Sequence, residues 1–332
     1  MAKLQTNKVG AMEQISPAQR FLRTNMTQVV TFGVLLVLSF GMTFLNENFL
    51  TTQNIINVFL QASVIGILAI GMSFVIFSDG IDLSVGSVLA VCCTILGDFT
   101  INKGMSALTG ALICLALGAF AGLMNGLLIT QFKMPAFIVT MGAMRLWSGV
   151  ALEWVDGVGI YKVADGIGWL GKDYLFGKIP YAVILMIALY AIGWFVLRKT
   201  SFGLHVYALG DNESASKLSG IKADKVRIII YTISGLCCGI AAIVVTGRMS
   251  GSTPTVGSGY ELEAIAGVAI GGASMSGGVG SIWGTLIGVI MVQVIRNGMN
   301  MLALSSYYQQ IIIGLIIIFA VGIDCFRRRK TN

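Results

Sequence analysis

Residues 55–77 read IINVFLQASVIGILAIGMSFVIF, 23 positions in a row without a charged side chain. A helix needs about 20 such residues to cross the roughly 30 Å hydrocarbon core of a bilayer, so this stretch reads as a membrane span. Similar runs fill most of the chain. Of its 332 residues, 56% are apolar and only 11% charged, with a mean hydropathy of +0.85. A soluble globule with that composition lacks the polar surface it needs.

Working outward from 55–77, the apolar runs predict spans at 27–45, 55–77, 82–98, 106–130, 136–154, 180–198, 225–247, 261–275, 281–300 and 305–325. The fold class is therefore an all-α polytopic membrane protein with about ten transmembrane helices. It divides into a basic segment 1–26, a membrane domain 27–325 and a basic tail 326–332. The first apolar run starts too far in for a cleaved signal peptide, so it is expected to stay as a span.

Orientation follows from the cations, because cytoplasmic segments carry the excess of Lys and Arg. With the N terminus inside, fifteen of the 22 Lys and Arg fall in inside segments. Five fall outside (Lys103, Lys162, Lys172, Lys178 and Arg248), and Arg145 and Arg296 lie within spans. Both termini are thus expected in the cytoplasm. The net charge of +7 reflects this placement of topology signals and not a nucleic-acid surface. One histidine, His205, excludes a multi-histidine metal centre, and the six cysteines lack zinc or disulfide spacing. They read as small core residues.

Two polar breaks stand out. The first, Ser78-Asp79-Gly80-Ile81-Asp82-Leu83-Ser84-Val85-Gly86-Ser87, puts two carboxylates between apolar runs, where each needs a partner or water. Asp82 reads either as a cap on the free N–H groups of the next helix, assisted by Ser84, or as a gating group. The second is the loop 198–227, in which Gly210 and Gly220 bracket Asp211, Asn212, Glu213, Ala215 and Leu218. Asp211 is the expected N-cap of a short helix that Gly220 ends. Too short to stand alone in water, that helix is a connector or a docking element presenting Ala215, Leu218 and Ile221.

The 42 glycines permit close approach of helices where lipid gives no drive to pack them, or they line a path. Arg145, inside an apolar span, needs a pairing group such as Glu153 or an aqueous cavity. No phosphate-binding loop, metal cluster, catalytic constellation or proton relay is present in the sequence. ATP would have to be hydrolysed elsewhere. The same absences suit an ion-coupled secondary transporter or channel for a small polar solute, which would need carboxylates deep in its spans.

Over 49–324 the sequence resembles the permease subunits of ribose-type, binding-protein-dependent ATP-binding-cassette (ABC) sugar importers. The likeness rests on five ordered motifs: 80–87, Pro135-Ala136-Phe137-Ile138-Val139-Thr140-Met141-Gly142, the 210–221 loop, Gly259-Tyr260-Glu261-Leu262-Glu263-Ala264-Ile265-Ala266, and Gly277-Gly278-Val279-Gly280 with Gly284-Thr285. The predicted spans at 82–98, 261–275 and 281–300 lean partly on it. The resemblance implies a bacterial inner-membrane protein that pairs with a second, identical permease subunit as a homodimer, with a cytoplasmic ATPase that holds the ATP and a periplasmic sugar-binding protein. No cofactor is expected in this chain. It further implies that the 198–227 loop couples to the ATPase, with Asp211 and Asp79 departing from the small residues usual there. A translocation path is expected along Ser87, Asn125, Ala264, Gly267, Gly271, Gly272 and Ser274.

Overall fold

The computed structural model describes residues 26–162, 164 and 166–329. The expected basic segment 1–26, apart from Met26, and residues 330–332 of the tail lie outside them. Helices α1 (Met26–Leu45), α2 (Thr52–Phe77), α3 (Val85–Gly97), α4 (Ala107–Gln131) and α5 (Ala136–Trp154) come first. A short helix α6 (Gly168–Lys172) and a hairpin of β1 (Tyr174–Leu175) and β2 (Ile179–Pro180) follow. Then come α7 (Tyr181–Lys199), α8 (Ser201–Asp211), α9 (Glu213–Leu218), α10 (Ala223–Met249), α11 (Tyr260–Ile270), α12 (Ile282–Met301) and α13 (Ser306–Arg329).

Among the described residues, seven helices are long and apolar enough to cross a membrane: α1, α2, α3 with its π-helical extension to Asn102, α4, α7, α10 and α12. The other three expected spans differ for physical reasons. Helix α5 has 19 residues, a rise of about 28 Å, but it carries Arg145 and Glu153. Helix α13 has an apolar stretch, Ser306–Phe319, shorter than a full span. The span expected at 261–275 is an eleven-residue helix, α11, which rises only about 16 Å. Beyond it the chain leaves helical geometry, with Gly272, Gly277 and Gly278 at positive φ. Such backbone is tolerated at membrane depth only where protein or a cavity satisfies it. Here Gly278 N–H donates to Phe77 O at 3.0 Å and Ser274 N–H to Val279 O at 2.9 Å.

Helix α2 is the axis of the fold. Most of it is buried, whereas α1 and α7 lie at the periphery. Two hydrogen-bonded links set α12 against it. The Asn54 and Asn297 side chains exchange bonds of 2.9 and 3.0 Å at one end, and the Ser73 and Thr285 hydroxyls lie 3.0 Å apart at the other. The five described cysteines are buried and unpaired by disulfides. The thiols of Cys92, Cys93, Cys114 and Cys238 donate to backbone carbonyls, as Cys114 Sγ does to Gly239 O at 3.4 Å, so they act as small core residues.

The tightest helix contact is that of α4 with α10. Gly118, Gly122 and Gly126 recur every fourth residue on α4; the first two meet Gly235 and Gly239 of α10, and Gly126 meets the Ile228 backbone. A Cβ at Gly122 would overlap the Tyr231 carbonyl, and one at Gly235 the Gly118 carbonyl. With lipid as apolar as the interior, this backbone-to-backbone packing replaces the hydrophobic drive of soluble proteins. Gly122→Leu is accordingly expected to cost more than about 3 kcal/mol and to remove the monodisperse peak in size-exclusion chromatography of detergent extracts. Gly41→Ala, where a Cβ meets open space, should leave that peak unchanged.

Candidate functional site

The loop 198–227 and the polar break at 78–84 come together on one end of the helix bundle. Helix α8 is capped by Thr200, whose Oγ1 accepts from Gly203 N–H at 3.3 Å. It was not anticipated as a separate helix. Its far end crosses α2 at Gly210, where a Cβ would overlap the Phe77 carbonyl and the Gly278 nitrogen. Only glycine allows that approach. The Phe77 and Tyr207 rings stack beside it with centroids 5.4 Å apart, and Tyr207 Oη donates to Gly280 O at 3.1 Å. The loop is thereby fastened both to the end of α2 and to the segment between α11 and α12.

Helix α9 is capped by Asn212, whose Oδ1 accepts from Ala215 N–H at 2.9 Å. This corrects the expectation for Asp211, which is instead the last residue of α8. At the other end Gly220 has φ 85°, and bonds from Ile221 N–H to Ser216 O (3.1 Å) and Gly220 N–H to Lys217 O (3.0 Å) complete a Schellman motif. Glu213 ties α9 to α10, since Arg227 Nη1 and Nη2 donate to its two carboxylate oxygens at 3.1 and 2.5 Å. Lys217 Nζ lies 2.6 Å from the same carboxylate. The face expected to hold Ala215, Leu218 and Ile221 together is divided: Ile221 packs on the core, while Ala215 is exposed and Leu218 is 91% exposed. Beside this clamp lies a cavity of about 580 Å³ lined by Asp79, Lys133, Asp224, Arg227 and Tyr231 among others.

Asp82 sits behind that cavity, fully enclosed. Its Oδ1 accepts from Ser84 N–H (3.0 Å) and Ser84 Oγ (2.6 Å), and its Oδ2 accepts from Ser234 Oγ (2.8 Å). The cap residue of α3 is Ser84 itself, so Asp82 joins the start of α3 to the middle of α10 instead of capping one helix. Asn125 extends the network, donating from Nδ2 to Ser84 Oγ at 2.9 Å. Asn125 is fully buried and Ser87, donating to Ser84 O at 2.8 Å, nearly so. The other residues expected along a path lie apart from these, where α11 meets α12 and α1. Ala264 and Ser274 are buried, Gly267 faces Val289, Gly271 faces Gly284, and Gly272 faces Thr27. Within one chain they fill helix contacts. Arg145 has no ion pair with Glu153 among the described residues and is exposed.

This arrangement has no group of three or more potential metal ligands among the described residues. It offers a polar surface fastened to α2 and α10, on which Leu218 stands exposed. Compared with known proteins, residues 54–321 match the family described as branched-chain amino acid transport system / permease component. The chain belongs to this family of transport permeases. The ribose import permease protein RbsC of Escherichia coli (strain K12) is 38% identical over 316 residues, 94% of this chain and 98% of that protein. The ribose import permease protein RbsC of Bacillus subtilis (strain 168) is 39% identical with the same coverage. The fructose import permease protein FrcC of Rhizobium meliloti is 34% identical over 94% of this chain and 88% of its own. No solved structure matches the chain. As a permease with several helices of spanning length, the protein resides in the bacterial inner membrane.

The Glu213 clamp gives a pH signature. Partial burial raises its pKa, but hydrogen bonds from Lys217 and Arg227 outweigh this and hold it below the usual carboxylate value. A group lowered on folding stabilises above its unfolded pKa, and the contribution is lost as pH falls through the folded one. The clamp is therefore expected to persist from neutral pH down to below the ordinary carboxylate range. For Glu213→Gln, a loss of roughly 0.5–1 kcal/mol should speed amide exchange in 212–221 about two- to fivefold at neutral pH. Equal exchange in both proteins would contradict the clamp.

Proposed function

We propose that this chain is the transmembrane subunit of an ABC importer that carries a monosaccharide, ribose or one like it, into a bacterial cell. One observation carries the reading: similarity to two ribose import permeases extends over nearly the whole length of both partners. In this reading the 198–227 face is cytoplasmic, as the distribution of Lys and Arg favours, and both termini lie on that side. Helices α5 and α13, and α11 with the non-helical segment after it, bring the seven clear spans to ten. A separate cytoplasmic ATPase hydrolyses the ATP, and a periplasmic sugar-binding protein delivers the solute to the hairpin side. The exposed Leu218 and Ala215 meet the ATPase. Gly210 passes the motion of that contact to α2 and the 271–281 segment.

Two copies form the pore. The support is Arg145, which lies at the tenth of the 19 residues of α5 on a face it shares with exposed Ile138, Met141 and Leu152. A guanidinium in mid-helix avoids acyl chains. Gly142 and Gly149 on the same helix have nothing within 4 Å of an added Cβ, so the face is open to close approach by a second α5.

Reconstituted with its ATPase and binding protein, the chain is expected to take up ribose only while ATP is hydrolysed, and Leu218→Asp should leave ATP hydrolysis running with at least tenfold less uptake per ATP. Uptake by this chain alone on an ion gradient would overturn the importer reading. Separately, Gly149→Cys should cross-link two copies under oxidation in membranes, since the five described native cysteines are buried. A cross-link-free result together with a monomeric mass in nanodiscs would rule out the paired pore.

A further inference from the structure

Under the hairpin face, between α2, α10, α11 and α12, lies a cleft of about 220 Å³ whose polar lining is Gln61, Arg248, Tyr260, Gln293, Arg296 and Asn300. It reaches well into the membrane domain. Arg296 is five residues before the end of α12 at Met301, and Gln61 nine residues after the start of α2 at Thr52. At 1.5 Å per residue these positions are about 7 and 13 Å below the helix ends. Amides and guanidiniums at that depth face water or solute, not lipid.

The charges of the cleft are nearly balanced. Arg296 pairs with Glu263, and Gln293 Nε2 donates to the other oxygen of that carboxylate at 2.8 Å. Arg248 donates from Nη1 to Leu60 O at 3.2 Å, using one of its five N–H donors, and no carboxylate lies within ion-pair distance of it among the described residues. Gln61 and the Tyr260 hydroxyl have no hydrogen-bond partner among the described residues. Both side chains are only partly buried, so their polar atoms are open to water or to a solute that enters the cleft. Here the lining holds both donors and acceptors in excess, the complement of a polyol whose hydroxyls are each donor and acceptor. Val64 and Ile65 add an apolar wall for the C–H face of a ring. The volume lies below the roughly 300–1,000 Å³ of pockets for drug-sized ligands, which sets the occupant at one small ring.

We infer that this cleft is a solute subsite, at which one neutral monosaccharide rests between delivery at the hairpin face and entry to the pore. The inference rests on the importer reading for its direction and substrate class. Its recognition chemistry is Gln61 and Tyr260 reading hydroxyls, with Asn300 donating from Nδ2 while its Oδ1 accepts from Gln309 Nε2 at 2.8 Å, and Arg248 donating to hydroxyl or ring oxygens.

The test is protection of an engineered thiol. Asn300→Cys, in a chain also carrying Cys325→Ser, is labelled from the hairpin side with a membrane-impermeant maleimide in the assembled transporter. Saturating D-ribose is expected to slow labelling at least about threefold, with no effect of inorganic phosphate; slowing by phosphate alone, or by none of D-ribose, D-xylose and D-fructose, overturns the subsite. In the same complex Gln61→Leu should lower ribose carried per ATP hydrolysed about tenfold, the equivalent of 1.4 kcal/mol. Uptake and hydrolysis falling in equal proportion would mark Gln61 as structural and overturn its assigned role. Protection without ATP-driven uptake by the unaltered complex would defeat the importer reading and leave the subsite standing. Normal uptake without protection would do the reverse.

Discussion

The crossing of Gly210 over the Phe77 carbonyl and the Gly278 nitrogen is the contact on which the rest of the arrangement turns. It brings three separate parts of the chain, the 198–227 loop, the end of the central helix α2 and the break between α11 and α12, to one point. No side chain intervenes, so nothing at that point can yield by changing rotamer. The three parts are therefore held to one another by backbone contact. Glu213 and Arg227 serve the same end, because a bidentate pair fixes angle as well as distance and so orients α9 relative to α10.

Inside the bundle, specificity comes from small residues and a few polar links. Apolar side chains gain little by choosing another helix over lipid, so the 56% apolar composition places the chain in a membrane without saying which helices touch. Gly118, Gly122 and Gly235 decide one contact by admitting backbone where any other residue would be excluded. The Asn54–Asn297 pair and the Ser73–Thr285 pair decide another. Asp82 ties the start of α3 to the middle of α10, and each of its bonds also satisfies a hydroxyl or N–H that burial would otherwise leave costly.

The charged residues within or beside the spans divide by what satisfies them. Glu263 and Asp82 are enclosed and bonded by protein. Arg248 and Arg296 line a cleft, and Arg145 lies on an open face. The membrane penalises each in the same way, so what distinguishes them is whether protein, a cleft or an open face surrounds the charge.

Charge-free runs such as 55–77 and the absence of any phosphate-binding loop were legible in the sequence by itself, because hydropathy, motif spacing and ionisation are properties of residues. So were the helix-ending role of Gly220 and the polar break around Asp82, which follow from local backbone chemistry. The tertiary structure alone decided that Asn212 and not Asp211 caps α9, since neighbouring residues compete for one cap and the path of α8 settles which is free. It alone shortened the expected span at 261–275, because a backbone that leaves the helix in a membrane survives only when a distant carbonyl, here that of Phe77, is in place to receive it. It also gathered Gln61, Arg248 and Arg296, far apart along the chain, into one cleft, a proximity that no local pattern encodes.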